Sequence, residues 1–156
     1  KVGKSSLLNM YVNGLFNESY KPTIGVSYVK KELMITSDLK LKFHMFDMAG
    51  LKTFAKVRKF YYPDTDAVIM LFDYSRNETL DKMNEWIEEA HHFIDDPNIP
   101  YILVGNKIDL VEERGDTSER AKQLASQYNC SFFEISALTG EGIDELFTYL
   151  VSKLCY

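Results

Sequence analysis

The sequence predicts an α/β fold: a mostly parallel sheet with helices on both faces. Two observations carry the parallel part. Residues 67–72 and 101–104 are continuously apolar, as strands buried on both faces are. Around them lie segments with apolar residues at helical spacing, and such alternation of strand and helix implies a parallel sheet. A third observation marks an antiparallel part. Residues 28–35 and 39–45 alternate in polarity on either side of Thr36-Ser37-Asp38, the pattern of a hairpin.

In chain order, residues 5–14 read as a helix with Leu7, Leu8 and Tyr11 or Val12 on one side, stopped by Asn13-Gly14. A polar loop follows, with Phe16, Tyr20, Pro22, Thr23 and Gly25. The second hairpin strand runs into Phe46-Asp47-Met48-Ala49-Gly50, a carboxylate and a glycine at a strand's C-terminal end. Residues 51–62 are mixed, and Lys52, Lys56, Arg58 and Lys59 offer a face to solvent or to an acidic partner. A helix is expected over 79–94, with Met83, Trp86, Ile87, Ala90 and Phe93 on one core-facing stripe. Another is expected over 117–128, N-capped by Ser118 or Asp116. Residues 131–135 form a short strand, and 143–154 a last helix with Ile143, Leu146, Phe147, Leu150 and Leu154 apolar.

Composition narrows the class without naming a chemistry. A chain of 156 residues suits one domain with a sizeable core. The net charge of −5 argues against a nucleic-acid footprint, which needs a basic patch. No apolar run is long enough to span a bilayer, and no signal peptide is visible. Cys130 and Cys155 lie far apart without metal-ligand spacing and suit a reducing, cytoplasmic compartment. His91 and His92 are adjacent, point to different sides of a helix, and make a poor metal pair.

The chemistry-bearing pieces all fall at C-terminal ends of strands, where ligands bind in open α/β sheets. Lys1-Val2-Gly3-Lys4-Ser5-Ser6 reads as the back half of a phosphate-binding loop. Gly3 lets backbone N–H groups approach phosphate, Lys4 reaches the β- and γ-phosphates, and Ser5 puts a hydroxyl on Mg²⁺ at a helix N-terminus. Thr23 offers a second hydroxyl to the metal, and Asp47 acts through one of its waters. The Gly50 N–H can bind the γ-phosphate, because glycine permits close approach. Asn106-Lys107-Ile108-Asp109 selects the base. Guanine presents two adjacent donors that one carboxylate, Asp109, accepts together; adenine lacks that pair. The stem of Lys107 lies over the base, Phe16 stacks on its other side, and the Ala137 N–H donates to the guanine carbonyl.

On these motifs the sequence resembles the small GTPases of the Ras superfamily, over essentially the whole chain. The resemblance implies one P-loop NTPase domain over 1–156, N-terminally incomplete, with a six-stranded sheet whose first, central strand is expected upstream of Lys1, holding GTP or GDP with Mg²⁺. It adds Lys1, Val2, Ser6, Tyr20, Ser136 and Leu138 to the nucleotide-binding set, and gives Lys4 and Gly50 a part in hydrolysis. The chain is most similar to the Rab branch, through Ile24-Gly25-Val26-Ser27-Tyr28 and Tyr61-Tyr62. Ile24, Tyr28, Phe46 and Tyr61 fall on the positions of that branch's effector patch, although Ser27, Phe46 and Pro63-Asp64 depart from its usual residues. Implied partners are an exchange factor, a GTPase-activating protein (GAP) and effectors in vesicle traffic. Reversible membrane association is implied only through a C-terminal lipid tail, which Cys155-Tyr156 does not resemble.

One departure bears on catalysis. The residue after Asp-x-Ala-Gly is a water-orienting glutamine in this family; here it is Leu51, which has neither donor nor acceptor. Tight GTP binding with slow, partner-insensitive turnover is therefore expected. Leu51 fits an engineered lock and a natural departure alike, since Met48, Lys52 and Thr53 also depart. Two other classes stay open: an interaction module with GTP as a structural cofactor, and a P-loop kinase or ATPase, which Asp109 disfavours.

Overall fold

The computed structural model describes residues 2–17, 19 and 22–155. Lys1, Tyr20, Lys21 and Tyr156 lie outside the described residues, as does Glu18, so the expectations placed on Lys1 and Tyr20 have no structural counterpart.

Helix α1 spans Lys4–Asn13 between two glycines. Gly3 enters it at φ 97°, and Gly14 closes it at φ 66° with its N–H on the Met10 carbonyl, a left-handed cap open to glycine at little cost. Strands β1 (Val26–Met34) and β2 (Lys40–Met48) form the expected antiparallel hairpin, both longer than the alternation marks. The turn holds because Thr36 Oγ1 accepts the N–H of Asp38 and Leu39. The register pairs Ser27 with Asp47, so the carboxylate sits inside the ladder one residue from its end. Phe43 and Asp47 are buried on one face while Lys40, Lys42, His44 and Phe46 face water.

After β2 a 3₁₀ turn (Lys52–Phe54) leads into the single turn of α2 (Ala55–Arg58). Strands β3 (Val68–Asp73), β4 (Tyr101–Asn106) and β5 (Ser131–Ile135) pair in parallel in that order. Every residue of β4 is buried, which a central strand covered on both sides requires. Its side chains divide between two cores. Leu103 faces Phe72, Ile87, Ala121 and Ala125; Ile102 and Val104 face Leu7, Phe43, Ile135, Leu146 and Phe147. Each fully buried aliphatic of this kind contributes roughly 1.5–3 kcal/mol. The five strands make two sheets, with β2 and β3 unpaired to one another among the described residues. Side-chain packing of Phe43, Leu41 and Met45 joins the hairpin to the second core.

Helix boundaries differ from the periodicity. The helix expected over 79–94 is interrupted at Lys82, giving α3 (Glu78–Asp81) and α4 (Met83–Phe93). Helix α5 begins at Gly115 and runs to Gln127, so neither Ser118 nor Asp116 caps it. Ser118 instead donates from its hydroxyl to Glu134 Oε1 on β5, 3.0 Å away. Helix α6 covers Ile143–Cys155.

Candidate nucleotide-binding site

The C-terminal ends of β2, β4 and β5 and the N-terminus of α1 gather most of the residues singled out above. Gly3 is required there twice over. Its φ of 97° disfavours any side chain, and a Cβ would lie 2.2 Å from Asn106 Nδ2. Asn106 is buried, donating from Nδ2 to the Val2 carbonyl (2.9 Å) and accepting the Ala137 N–H on Oδ1 (3.0 Å). It ties the phosphate-loop end of the chain to the β5 end. In this arrangement the Ala137 N–H, expected to meet the base, bonds Asn106.

Three oxygen-bearing side chains converge beside α1. Ser5 donates to Asp47 Oδ2, Thr23 donates to the same oxygen at 3.2 Å, and the two hydroxyls are 3.1 Å apart. Asp47 is buried, and its Oδ1 has no hydrogen-bond partner. An orphaned buried carboxylate oxygen is costly unless something else binds it. Two hydroxyls and a carboxylate form a hard oxygen donor set, the type that Mg²⁺ takes together with water and phosphate. Among the described residues no group of three or more His, Cys, Asp or Glu assembles that could hold a metal ion. Burial pushes the Lys4 ammonium below its ordinary pKa against the opposing pull of Asp47, and an arriving phosphate would relieve that penalty. Gly50 closes over this ammonium: a Cβ there would be 3.4 Å from Lys4 Nζ.

At the base end, Asp109 is exposed and accepts a hydrogen bond from the buried Ser136 hydroxyl. Lys107 takes the left-handed conformation (φ 69°) and pairs through Nζ with Asp73 Oδ2 at 2.6 Å. Asp73 is fully buried at the end of β3, beside Asn106 in register, and also accepts from Ser75 and Arg76. Burial alone would raise its pKa; Lys107, Ser75 and Arg76 outweigh that and lower it. Sequence reasoning passed over Asp73. The available signal was an acid ending a buried strand, the same position in its strand that Asn106 holds in β4. Phe16 and Leu138 lie partly open to solvent, on the loops after α1 and β5.

Of the four effector-patch residues, Tyr28, Phe46 and Tyr61 are contiguous. Tyr28 and Phe46, partners across the hairpin, have ring centroids 5.4 Å apart, and Phe46 is 5.3 Å from Tyr61. Ile24 and Leu51 are exposed, at 85% and 60%. The basic segment after Gly50 is less uniform than its sequence suggests. Lys52, Lys56 and Lys59 face water, but Arg58 turns inward, 2% exposed, against Glu89 of α4.

The fold and this cluster of residues define a P-loop nucleotide-binding domain. The chain belongs to the Ras family, which it matches over residues 1–156, and within it to the Rab branch of GTPases. It is 36% identical to the GTP-binding protein YPT53 of Saccharomyces cerevisiae, over 98% of this chain and 71% of that protein. It is 33% identical to the GTP-binding protein ypt5 of Schizosaccharomyces pombe (98% and 72%). Identity to the human Ras-related protein Rab-39A is 30% (98% and 72%). Among the described residues no helix is long and apolar enough to cross a membrane.

Proposed function

We propose that residues 1–156 form a guanine-nucleotide switch domain that takes GTP or GDP with Mg²⁺ and signals to effectors in vesicle traffic. The observation that carries this reading is the convergence of Ser5, Thr23 and Asp47 around a buried, unpartnered carboxylate oxygen. Lys4 neutralises the β- and γ-phosphates, and the Gly50 N–H meets the γ-phosphate. Ser5, Thr23 and Asp47 would hold Mg²⁺, which when bound would offset the phosphate charge. Asp109, held by Ser136, accepts the paired donors of guanine. The stem of Lys107, steadied by Asp73, lines one face of the base. Lys1, Val2, Ser6, Tyr20, Phe16 and Leu138 complete the nucleotide contacts that the family implies. Ile24, Tyr28, Phe46 and Tyr61 are the effector surface. An exchange factor and a GAP act on the same loops, and a lipidated C-terminal tail supplies reversible membrane attachment from the cytoplasm.

Leu51 separates binding from turnover. In this class an arginine finger supplied by a partner adds roughly 10³–10⁵ in rate alongside the glutamine, about 4–7 kcal/mol of barrier. Leucine cannot hold water in line, so hydrolysis is slow and a GAP adds little. A single-turnover assay tests this. The parent chain is expected to lose GTP at least about 100-fold more slowly with a GAP than Leu51→Gln does, on the magnitude above. Equal rates would overturn it. The same exposed Leu51 favours a second reading, a GTP-bound interaction module without a hydrolytic cycle. That reading predicts no recovery of turnover in Leu51→Gln.

A further inference from the structure

Charge is unevenly placed along the chain, and the aromatic cluster of Tyr28, Phe46 and Tyr61 lies where the positive charge gathers. Residues 26–62 hold eight Lys or Arg against three Asp or Glu, in a chain of 18 against 23. Of those three acids, Asp47 is buried beside Ser5 and Thr23. Asp38 lies in the hairpin turn, at the far end from the rings. Glu32 is shared between Lys30 at 2.8 Å and Lys40 at 3.0 Å. Asp64 and Asp66, just beyond Tyr62, mark the edge of the basic region.

Two basic arms meet at the rings. Residues directly opposite in an antiparallel pair share a face. The register therefore sets four pairs in a row on the exposed side of the hairpin: Tyr28 with Phe46, Lys30 with His44, Glu32 with Lys42, and Met34 with Lys40. The Tyr28 hydroxyl and His44 Nδ1 are 2.7 Å apart, which joins the aromatic end to the basic row. The second arm is the segment after Gly50, where Lys52, Lys56 and Lys59 are exposed and Tyr61 reaches Phe46. Phe60, 74% exposed, has the Lys59 ammonium 5.1 Å from its ring centre. Arg58 withholds its charge, buried against Glu89. Lys42, Lys56 and Lys59 form no salt bridge among the described residues, although the chain has more acids than bases. Like charges left open around apolar rings gain from an opposite charge brought by a partner, which steers encounter and fixes register.

We propose that this surface receives an acidic protein segment. Its apolar side chains seat on Tyr28, Phe46 and Tyr61, and its Asp and Glu meet Lys30 and Lys42 on one side and Lys56 and Lys59 on the other. This rests on the effector reading above and deepens it: the lysines around the rings select which partner docks. A protein fits better than an anionic membrane does. Glu32 stands within the basic row, where a layer of anionic headgroups would meet it, whereas a folded partner can place a donor or a gap there. The rings are tilted to one another by 45° and 49°, a relief that suits interlocking side chains.

A library of random peptides displayed on phage, selected on the immobilised parent chain with Mg²⁺ and a non-hydrolysable GTP analogue, tests this. Enriched peptides are expected to carry Asp and Glu in excess of Lys and Arg, around Leu, Phe or Trp. A synthetic copy of the most enriched peptide is expected to bind Lys42→Glu/Lys59→Glu at least about tenfold more weakly than the parent. Lys122→Glu/Lys153→Glu changes the net charge equally on α5 and α6 and is expected to bind within about twofold of the parent. Raising salt from about 0.05 to about 0.5 M is expected to weaken binding to the parent by about tenfold. Circular dichroism checks both folds, and the salt series on the parent decides the matter if a variant unfolds. Enrichment of neutral or basic peptides, no enrichment, or equal binding by the two variants would overturn the proposal. Vesicles of phosphatidylcholine with about one third phosphatidylserine are the membrane probe. The parent is expected to stay in solution; sedimentation with them that Lys42→Glu/Lys59→Glu abolishes would overturn the proposal in favour of a lipid surface. Native mass spectrometry reports bound nucleotide separately. If none binds, the guanine reading fails, and selection on the nucleotide-free chain judges the partner's charge by the same criteria.

Discussion

Gly3 illustrates how little latitude a single position has here. Its backbone conformation excludes a side chain, and the space a methyl would take is held by Asn106, itself pinned by Val2 and Ala137. Gly3→Ala combines a left-handed penalty of about 1–2 kcal/mol with displacement of a buried amide. The expected outcome is a melting temperature lower by about 2–8 °C and weaker nucleotide binding, read by calorimetry and fluorescence titration. Asp109, Lys107 and Ser5 could be singled out from sequence because spacing after a strand or before a helix marks them as candidates. Arg58 and Asp73 were not. The partner of Arg58 is 31 residues away on another helix, and Asp73 looks like any acid at a strand end until Lys107 folds onto it.

Among the elements, the strands announced themselves by their two patterns, alternation in the hairpin and continuous apolar runs in β3 and β4. Those patterns report burial on one or two faces, which tertiary structure then honours. Helix ends were less legible. Ser118 has the composition of an N-cap, yet its hydroxyl serves Glu134, which also binds Tyr74 and Arg114, so a long-range network set the start of α5. The β3–β4 end makes a pH prediction. The folded pKa of Asp73 is lowered, so its contribution to stability is complete above the ordinary value of 3.8 and is lost as pH falls from there through the lower folded value. Thermal melts across that window should fall more steeply for the parent than for Asp73→Asn, which is destabilised at neutral pH but has no such titration to lose.

For the molecule as a whole, the predicted α/β fold with helices on both faces is the fold found, and the candidate ligands lie on its strand ends. The five described strands lie in two sheets, and Phe43 of β2 and Leu71 of β3 share one apolar core. On the proposed reading, Mg²⁺ and nucleotide stabilise the ends that the fold leaves charged or orphaned, at Lys4 and Asp47. A ligand present at about 100 times its Kd adds about 2.7 kcal/mol. Chelating Mg²⁺ from the GDP-loaded chain should therefore lower its melting temperature by several degrees, and returning Mg²⁺ should restore it.

The central claim is that this chain selects guanine nucleotides, and the most direct measurement is competition for a fluorescent GDP bound in the presence of Mg²⁺. GTP should displace it stoichiometrically, and ATP should fail to do so even in about 100-fold excess, since the two charge-assisted hydrogen bonds to Asp109 are each worth roughly 1.5–3 kcal/mol. Displacement by ATP at concentrations similar to GTP would contradict the account.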